Sequence, residues 1–280
     1  MGESHKARKR FGQNFLHDQA VIEKIVAAVI LSAEQTVVEI GPGQGALTLK
    51  LLSDLPASAS LTAIELDRDL IAPLEQLARE HSIFRVLEGD VLQIDLMGLR
   101  ESLSKPLTIC GNLPYNISSP LLIKLLESQL AWEKNQRVDA SGSFCSAMVF
   151  MLQKEVVDRI CATAGSKSYG RLGVLLQSVF DCQLLFDVPP TAFKPAPKVT
   201  SAVMRMVPKA NPQVSSVTFA PFQRLVAAAF AQRRKTLRNT LKGLVPVDAF
   251  AELGIDPGLR AEMLSIEQFV ALSEQLDRDA

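Results

Sequence analysis

Apolar positions along the chain fall into two regimes. Between residues 37 and 208, short aliphatic and β-branched runs recur at 37–41, 61–65, 84–88, 107–112, 147–152, 183–188 and 201–207. Short apolar runs bounded by Gly, Pro, Asn or Asp are the pattern of buried strands. Between most of them the spacing is helical, as at 69–79 and 120–130. Strands alternating with helices predict an α/β fold: a Rossmann-like, seven-stranded, mostly parallel sheet with helices on both faces. Ligands of such sheets bind beyond the carboxyl ends of the strands. From about residue 210 the pattern changes. Pro212 and Pro221 punctuate the chain, and helical spacing follows at 222–231, 235–243, 247–253 and 266–278. This predicts a sheet domain over 1–209 and a smaller all-helical domain over 210–280.

Composition adds little until it is read by position. Of 280 residues, 48% are hydrophobic and 21% charged, ordinary for a globular protein. No apolar run approaches the roughly 18 residues that span a bilayer, and no apolar stretch follows the basic residues at 5–10, so a cytoplasmic protein is expected. Cys110, Cys145, Cys161 and Cys182 form no Cys-x-x-Cys pair and have no accompanying His cluster. They predict reduced thiols and no metal site. Net charge is zero, yet from Val188 to Val247 there is no Asp or Glu among ten Lys and Arg residues. The tail from Asp248 onward carries eight acids. Such segregation makes a local positive field despite the neutral total, which favours a polyanion partner over a merely solvated face.

The residues after the strands carry the chemistry. The first is followed by Gly41-Pro42-Gly43-Gln44-Gly45, a turn whose glycines let backbone approach a ligand. The helix starting near Ala46 aims its amides the same way. This is neither the dinucleotide fingerprint nor a phosphate loop. Glu65 ends the second strand, where a carboxylate can accept ribose hydroxyls. Asp90 closes the third, a natural place for an adenine amino group. Together they predict an adenosine-containing cofactor, with NAD and S-adenosylmethionine both still open.

The fourth strand decides between them. It ends in Asn112-Leu113-Pro114-Tyr115. The N6 amine of adenine is a poor nucleophile because its lone pair is delocalised into the ring. It needs acceptors for both N–H hydrogens, which the Asn112 side-chain oxygen and a main-chain carbonyl at Leu113 or Pro114 can supply. Pro114 stiffens the turn, and Tyr115 offers a face on which adenine stacks. A sulfonium methyl is already activated, so alignment is the main task left to the protein. The loop therefore predicts S-adenosylmethionine-dependent methylation of an adenine amine, with no dedicated base.

Taken with the segments at 9–16, 39–48, 64–67, 112–120, 153–156, 168–172, 188–201 and 233–239, the chain resembles the small-subunit rRNA adenine N6-dimethyltransferases nearly end to end. The resemblance implies a class I methyltransferase fold with a C-terminal helical domain. It implies dimethylation of two adjacent adenosines in a hairpin near the 3′ end of 16S rRNA, within a pre-30S particle, and a role in ribosome assembly. In that family, loss of the modification confers kasugamycin resistance. Position by position it implies that Asn14, Leu16, Gly41, Gly43, Glu65, Asp90 and Asn112 touch the cofactor. It makes Asn112 to Tyr115 the catalytic loop, sets Phe193 beside the target base, and turns Arg233, Arg234, Lys235 and Arg238 toward RNA phosphates. The stretch 131–143 is longer than the family leads one to expect and reads as an extended surface loop. A monomer is expected. Macrolide-resistance 23S rRNA methyltransferases share much of the loop, but Leu113 and the 233–239 segment lean toward the small-subunit enzymes. DNA adenine methyltransferases, with Asp/Asn-Pro-Pro-Tyr/Phe, fit less well. A non-catalytic assembly or transcription factor fits poorly with an intact loop, Glu65 and Asp90.

Overall fold

The computed structural model describes residues 14–30, 35–135 and 142–276. The basic stretch at 5–10, most of the 9–16 segment, the tip at 136–141 and the end of the 266–278 helix lie outside the described residues.

The chain opens with β1 (Phe15–Leu16) and α1 (Gln19–Val29). Asp18 caps α1 by accepting from the Val21 amide at 3.1 Å, satisfying one of the orphan donors of the first turn. Ile22, Ile25, Val26 and Val29 form its buried stripe. There follow β2 (Thr36–Ile40), α2 (Ala46–Asp54), β3 (Ser60–Glu65), α3 (Arg68–Glu80), β4 (Phe84–Glu88), α4 (Leu96–Leu103), β5 (Leu107–Asn112) and α5 (Ser118–Asn135). Next come β6 (Cys145–Gln153), α6 (Lys154–Ile160), α7 (Arg171–Gln177), β7 (Phe180–Val188), β8 (Phe193–Lys194) and β9 (Ser201–Pro208). The chain ends in α8 (Phe219–Ala229), α9 (Leu237–Thr240), α10 (Val247–Glu252) and α11 (Ile266–Glu274). Ser265 and Gln268 cap α11 reciprocally.

The main sheet has seven strands in the order β4-β3-β2-β5-β6-β9-β7. β4 to β6 pair in parallel and β9 runs antiparallel to β6. From β2 the strand order runs outward both ways, so β2 and β5 flank the switch point where such sheets open a crevice. Every residue of β2 is buried, as expected of a central strand covered on both faces. A separate two-residue ladder pairs Leu16 with Phe193 and Phe15 with Lys194.

Two compact units divide the chain, one built from 1–157 with 183–207, the other from 158–182 with 208–280. α7 and its flanking loops group with the C-terminal helices. In that second unit Phe230 packs against Tyr169 and Phe269, with ring centroids 6.3 and 5.7 Å apart. An apolar knot shared by distant segments leaves no periodic trace in sequence. α9 is also shorter than the 235–243 spacing suggested, and Gly243 takes a left-handed φ of 76° just beyond it.

The expected loop at 131–143 is corrected in its first part, because α5 continues to Asn135. Trp132 is buried and donates to the Gly142 carbonyl at 2.9 Å. The Arg100 guanidinium lies 4.5 Å from the centre of its ring, within cation–π range.

Candidate active site

The carboxyl ends of β2, β3, β4 and β5 line one pocket with the N-terminal segment. Asn14, Leu16, Gly41, Gly43, Glu65, Asp90 and residues 112–115 all border it. Ten residues separated by up to 101 positions in sequence are thus brought together, because parallel strands put their carboxyl ends on one edge.

The glycine turn is left-handed at Gly41, Gly43 and Gly45, with φ of 65°, 59° and 80°. An L side chain rarely adopts that region. A Cβ on Gly43 would also meet the Phe15 ring at 3.2 Å. Phe15 borders the pocket too. The Glu65 carboxylate knits the turn to β3. Its Oε2 accepts from the Gly43 amide at 3.1 Å, and its Oε1 accepts from Leu66 and Asp67 at 2.9 and 2.8 Å. A carboxylate has about four lone-pair directions, so one remains, on Oε2. Glu65 in this arrangement has room for one hydroxyl rather than the two that the sequence suggested.

Asp90 presents a freer edge. Its Oδ1 accepts from the Leu92 amide at 2.9 Å. Its Oδ2 has no hydrogen-bond partner among the described residues, which suits a carboxylate that receives an amino group.

Asn112 is half-buried at the end of β5. Its Nδ2 donates to the Asn14 carbonyl at 2.9 Å, which fixes the amide orientation and leaves Oδ1 as an acceptor with no partner among the described residues. The Leu113 amide donates to the Met151 carbonyl at 3.2 Å, and the Pro114 carbonyl accepts from Ile117 at 3.1 Å. The Leu113 carbonyl has no partner among the described residues. Of the two carbonyls that the loop offered, Leu113 is therefore the open one. The Tyr115 hydroxyl shares a 2.9 Å hydrogen bond with Ser201 Oγ at the start of β9, which pins the ring.

Phe193 does not border the pocket. It is 4% exposed and packs in the core with Leu16, Val188 and Ala192. In this arrangement it offers no face to a base, and its β8 position against Leu16 makes it a support for the N-terminal segment. Arg233, Arg234, Lys235 and Arg238 are exposed on the second unit. Arg233 is in part committed, because its Nη2 donates to the Lys167 carbonyl at 2.9 Å.

Sequence reading passed over Glu39, which borders the pocket at 1% exposure and accepts from Thr48 Oγ1 at 2.7 Å. Burial pushes its carboxyl up to about 7; the Thr48 bond opposes this and the charge of Glu65 adds to it. An acid inside the otherwise uncharged run Thr36-Val37-Val38-Glu39-Ile40 was the available signal. Among the described residues, no group of three or more His, Cys, Asp or Glu side chains could hold a metal ion. No helix among the described residues is long and apolar enough to cross a membrane.

A turn, three acids and an Asn-Leu-Pro-Tyr loop on one sheet edge describe a chemistry, and sequence comparison names its lineage. The family model for ribosomal RNA adenine dimethylase matches residues 4–278. The chain belongs to the ribosomal RNA adenine dimethylase family. It is an S-adenosylmethionine-dependent methyltransferase that dimethylates adenine in rRNA. Its relatives include the ribosomal RNA small subunit methyltransferase A of Acinetobacter baylyi, 50% identical over 98% of this chain and 94% of the relative. That of Thiobacillus denitrificans is 51% identical over 97% and 98%. A dimethyladenosine transferase from Plasmodium falciparum superposes with a TM-score of 0.72 at 25% identity, covering 93% of this chain and 98% of that one. The 23S rRNA methyltransferase ErmE gives 0.68 at 24% identity over 95% and 100%, a likeness of fold alone.

Proposed function

We propose that this enzyme converts two adjacent adenosines, in a hairpin near the 3′ end of small-subunit rRNA, to N6,N6-dimethyladenosine within a 30S particle or its precursor. It acts as a cytoplasmic monomer in ribosome assembly. Relatives about half identical over nearly the whole chain, called small subunit methyltransferase A, support this choice of rRNA.

The site supports a division of labour. S-adenosylmethionine, when bound, supplies a methyl group on an electron-poor sulfonium. Glu65 takes a ribose hydroxyl on Oε2, Asp90 Oδ2 takes the adenine amine, and the Asn14–Leu16 segment closes the side. At the acceptor end, Asn112 Oδ1 and the Leu113 carbonyl bind the two N–H groups of the target adenine, turning its nitrogen lone pair toward the cofactor side. Tyr115 stacks on the base, an effect of about 1–3 kcal/mol. After one methylation a single N–H remains, and either acceptor suffices to hold it. The proton displaced by transfer leaves to solvent. The second unit holds RNA phosphates through Arg234, Lys235 and Arg238, with Arg233 partly diverted to the Lys167 carbonyl.

The observation that carries this reading is the Asn112–Asn14 hydrogen bond, which orients an otherwise mobile amide with its oxygen unpaired at the pocket. Asn112→Ala should lose methyl transfer by about a hundredfold or more while RNA affinity changes little. Near-normal turnover in that variant would overturn the assignment.

A further inference from the structure

Lys124 is a cation that the chemistry above does not use. It sits in the second turn of α5, the helix that begins directly after the catalytic loop. Leu121, Leu122, Leu125 and Leu126 around it are fully buried, so the helix has its apolar anchorage without this residue. The Lys124 ammonium crosses instead to the turn after β4. Its Nζ donates to the carbonyls of Val91, Leu92 and Ile94 at 3.0, 2.9 and 2.6 Å. An ammonium has three donors, and all three are placed.

Those carbonyls belong to the turn that presents Asp90. The amides of Gln93 and Ile94 both donate to the Asp90 carbonyl, at 2.8 and 3.0 Å, and the Leu92 amide holds Asp90 Oδ1. The turn winds back on itself and leaves its last carbonyls pointing away, where Lys124 gathers them. At the other end, α5 is tied to the catalytic loop. The Ser118 hydroxyl donates to the Tyr115 carbonyl at 3.1 Å and the Ile117 amide to the Pro114 carbonyl at 3.1 Å. One helix thus grips both the turn that presents Asp90 Oδ2 and the loop that presents Asn112 Oδ1.

We propose that Lys124 is a positioning residue that fixes Asp90 for the cofactor's adenine and sets it in register with the catalytic loop. This rests on the reading that Asp90 receives the adenine amine. Burial lowers the ammonium's pKa, while the carboxylates of Asp90 and Asp95 favour its charge.

The test is a double-substitution cycle on the full-length protein, read by calorimetric binding of S-adenosylhomocysteine and by methyl-transfer kinetics. Lys124→Met keeps the length of the side chain and removes every donor. It should raise the Kd about tenfold or more and leave kcat at saturating cofactor within about threefold. In an Asp90→Ala background, which removes both side-chain acceptors, the same change should raise the Kd less than about twofold, because the group it positions is already gone. Lys124→Gln, with two donors, should fall between wild type and Lys124→Met, and it carries the test if the latter fails to fold. An unchanged Kd in Asp90→Ala overturns the adenine role of Asp90 and the proposal with it. A raised Kd in Asp90→Ala, with either an unchanged Kd in Lys124→Met or the same full factor in both backgrounds, overturns the proposal alone.

Discussion

Replacing Glu39 by Gln should remove a pH-dependent penalty from the fold. The Glu39 carboxyl lies in β2 at 1% exposure and accepts one hydrogen bond, from Thr48 Oγ1. Its pKa rises from 4.5 to about 7 on folding, chiefly through burial. Between those values the folded protein still holds a proton that the unfolded chain has released. Stability present below pH 4.5 is therefore lost as pH rises through 7, at about 1.4 kcal/mol per pH unit and about 3 kcal/mol in all. The amide oxygen of the substituted side chain would keep the Thr48 bond and never ionise. Urea unfolding of the cofactor-free wild type and variant, near pH 5 and near pH 8, isolates this group because every other titration is common to both. The variant should gain about 3 kcal/mol on wild type over that interval. A gap between the two proteins that stays constant with pH would refute the reasoning.

Further outcomes follow from the geometry. Gly111→Ala drives a Cβ into the Ile40 carbonyl oxygen, where β5 meets the glycine turn; it should cost about 3 kcal/mol by thermal or chemical unfolding. Tyr115→Phe removes the bond to Ser201 Oγ and should cost about 1 kcal/mol of stability while keeping the stacking face. Tyr115→Ala should raise the KM for RNA about ten- to a hundredfold. Arg234→Ala with Lys235→Ala should lower the slope of log affinity against log salt for 30S binding by about 1.5, whereas Arg233→Ala should also loosen the Lys167 loop, detectable by hydrogen exchange.

The parts of the site that sequence revealed are those set by strand ends. Glu65 and Asn112 each close a strand and Asp90 lies two residues beyond the end of another, and the alternation of strands and helices already placed those ends on one edge. What sequence hid depends on contacts without periodicity. The β1–β8 ladder is two residues long and joins segments far apart, so nothing in the spacing of Leu16 or Phe193 announced it. Phe193 was set beside the target base by resemblance, yet its pairing with Leu16 carries it into the core. Nothing in the helical spacing at 120–130 singles out Lys124, and only the fold of the 90–94 turn gives its ammonium three carbonyls. Glu39 lay in plain view, but a buried acid is recognised by its surroundings rather than by its neighbours in the chain. The grouping of 158–182 with the C-terminal helices includes Tyr169, Phe230 and Phe269, three rings brought together only in three dimensions.

The most direct test of the whole account is transfer of labelled methyl from S-adenosylmethionine to unmethylated 30S particles, with the products identified by mass spectrometry. The account predicts N6,N6-dimethyladenosine at two adjacent positions near the 3′ end of the small-subunit rRNA with the wild-type enzyme, formed about a hundredfold or more slowly with Asn112→Ala. Label on another base, on large-subunit rRNA instead, or undiminished in the variant would contradict it.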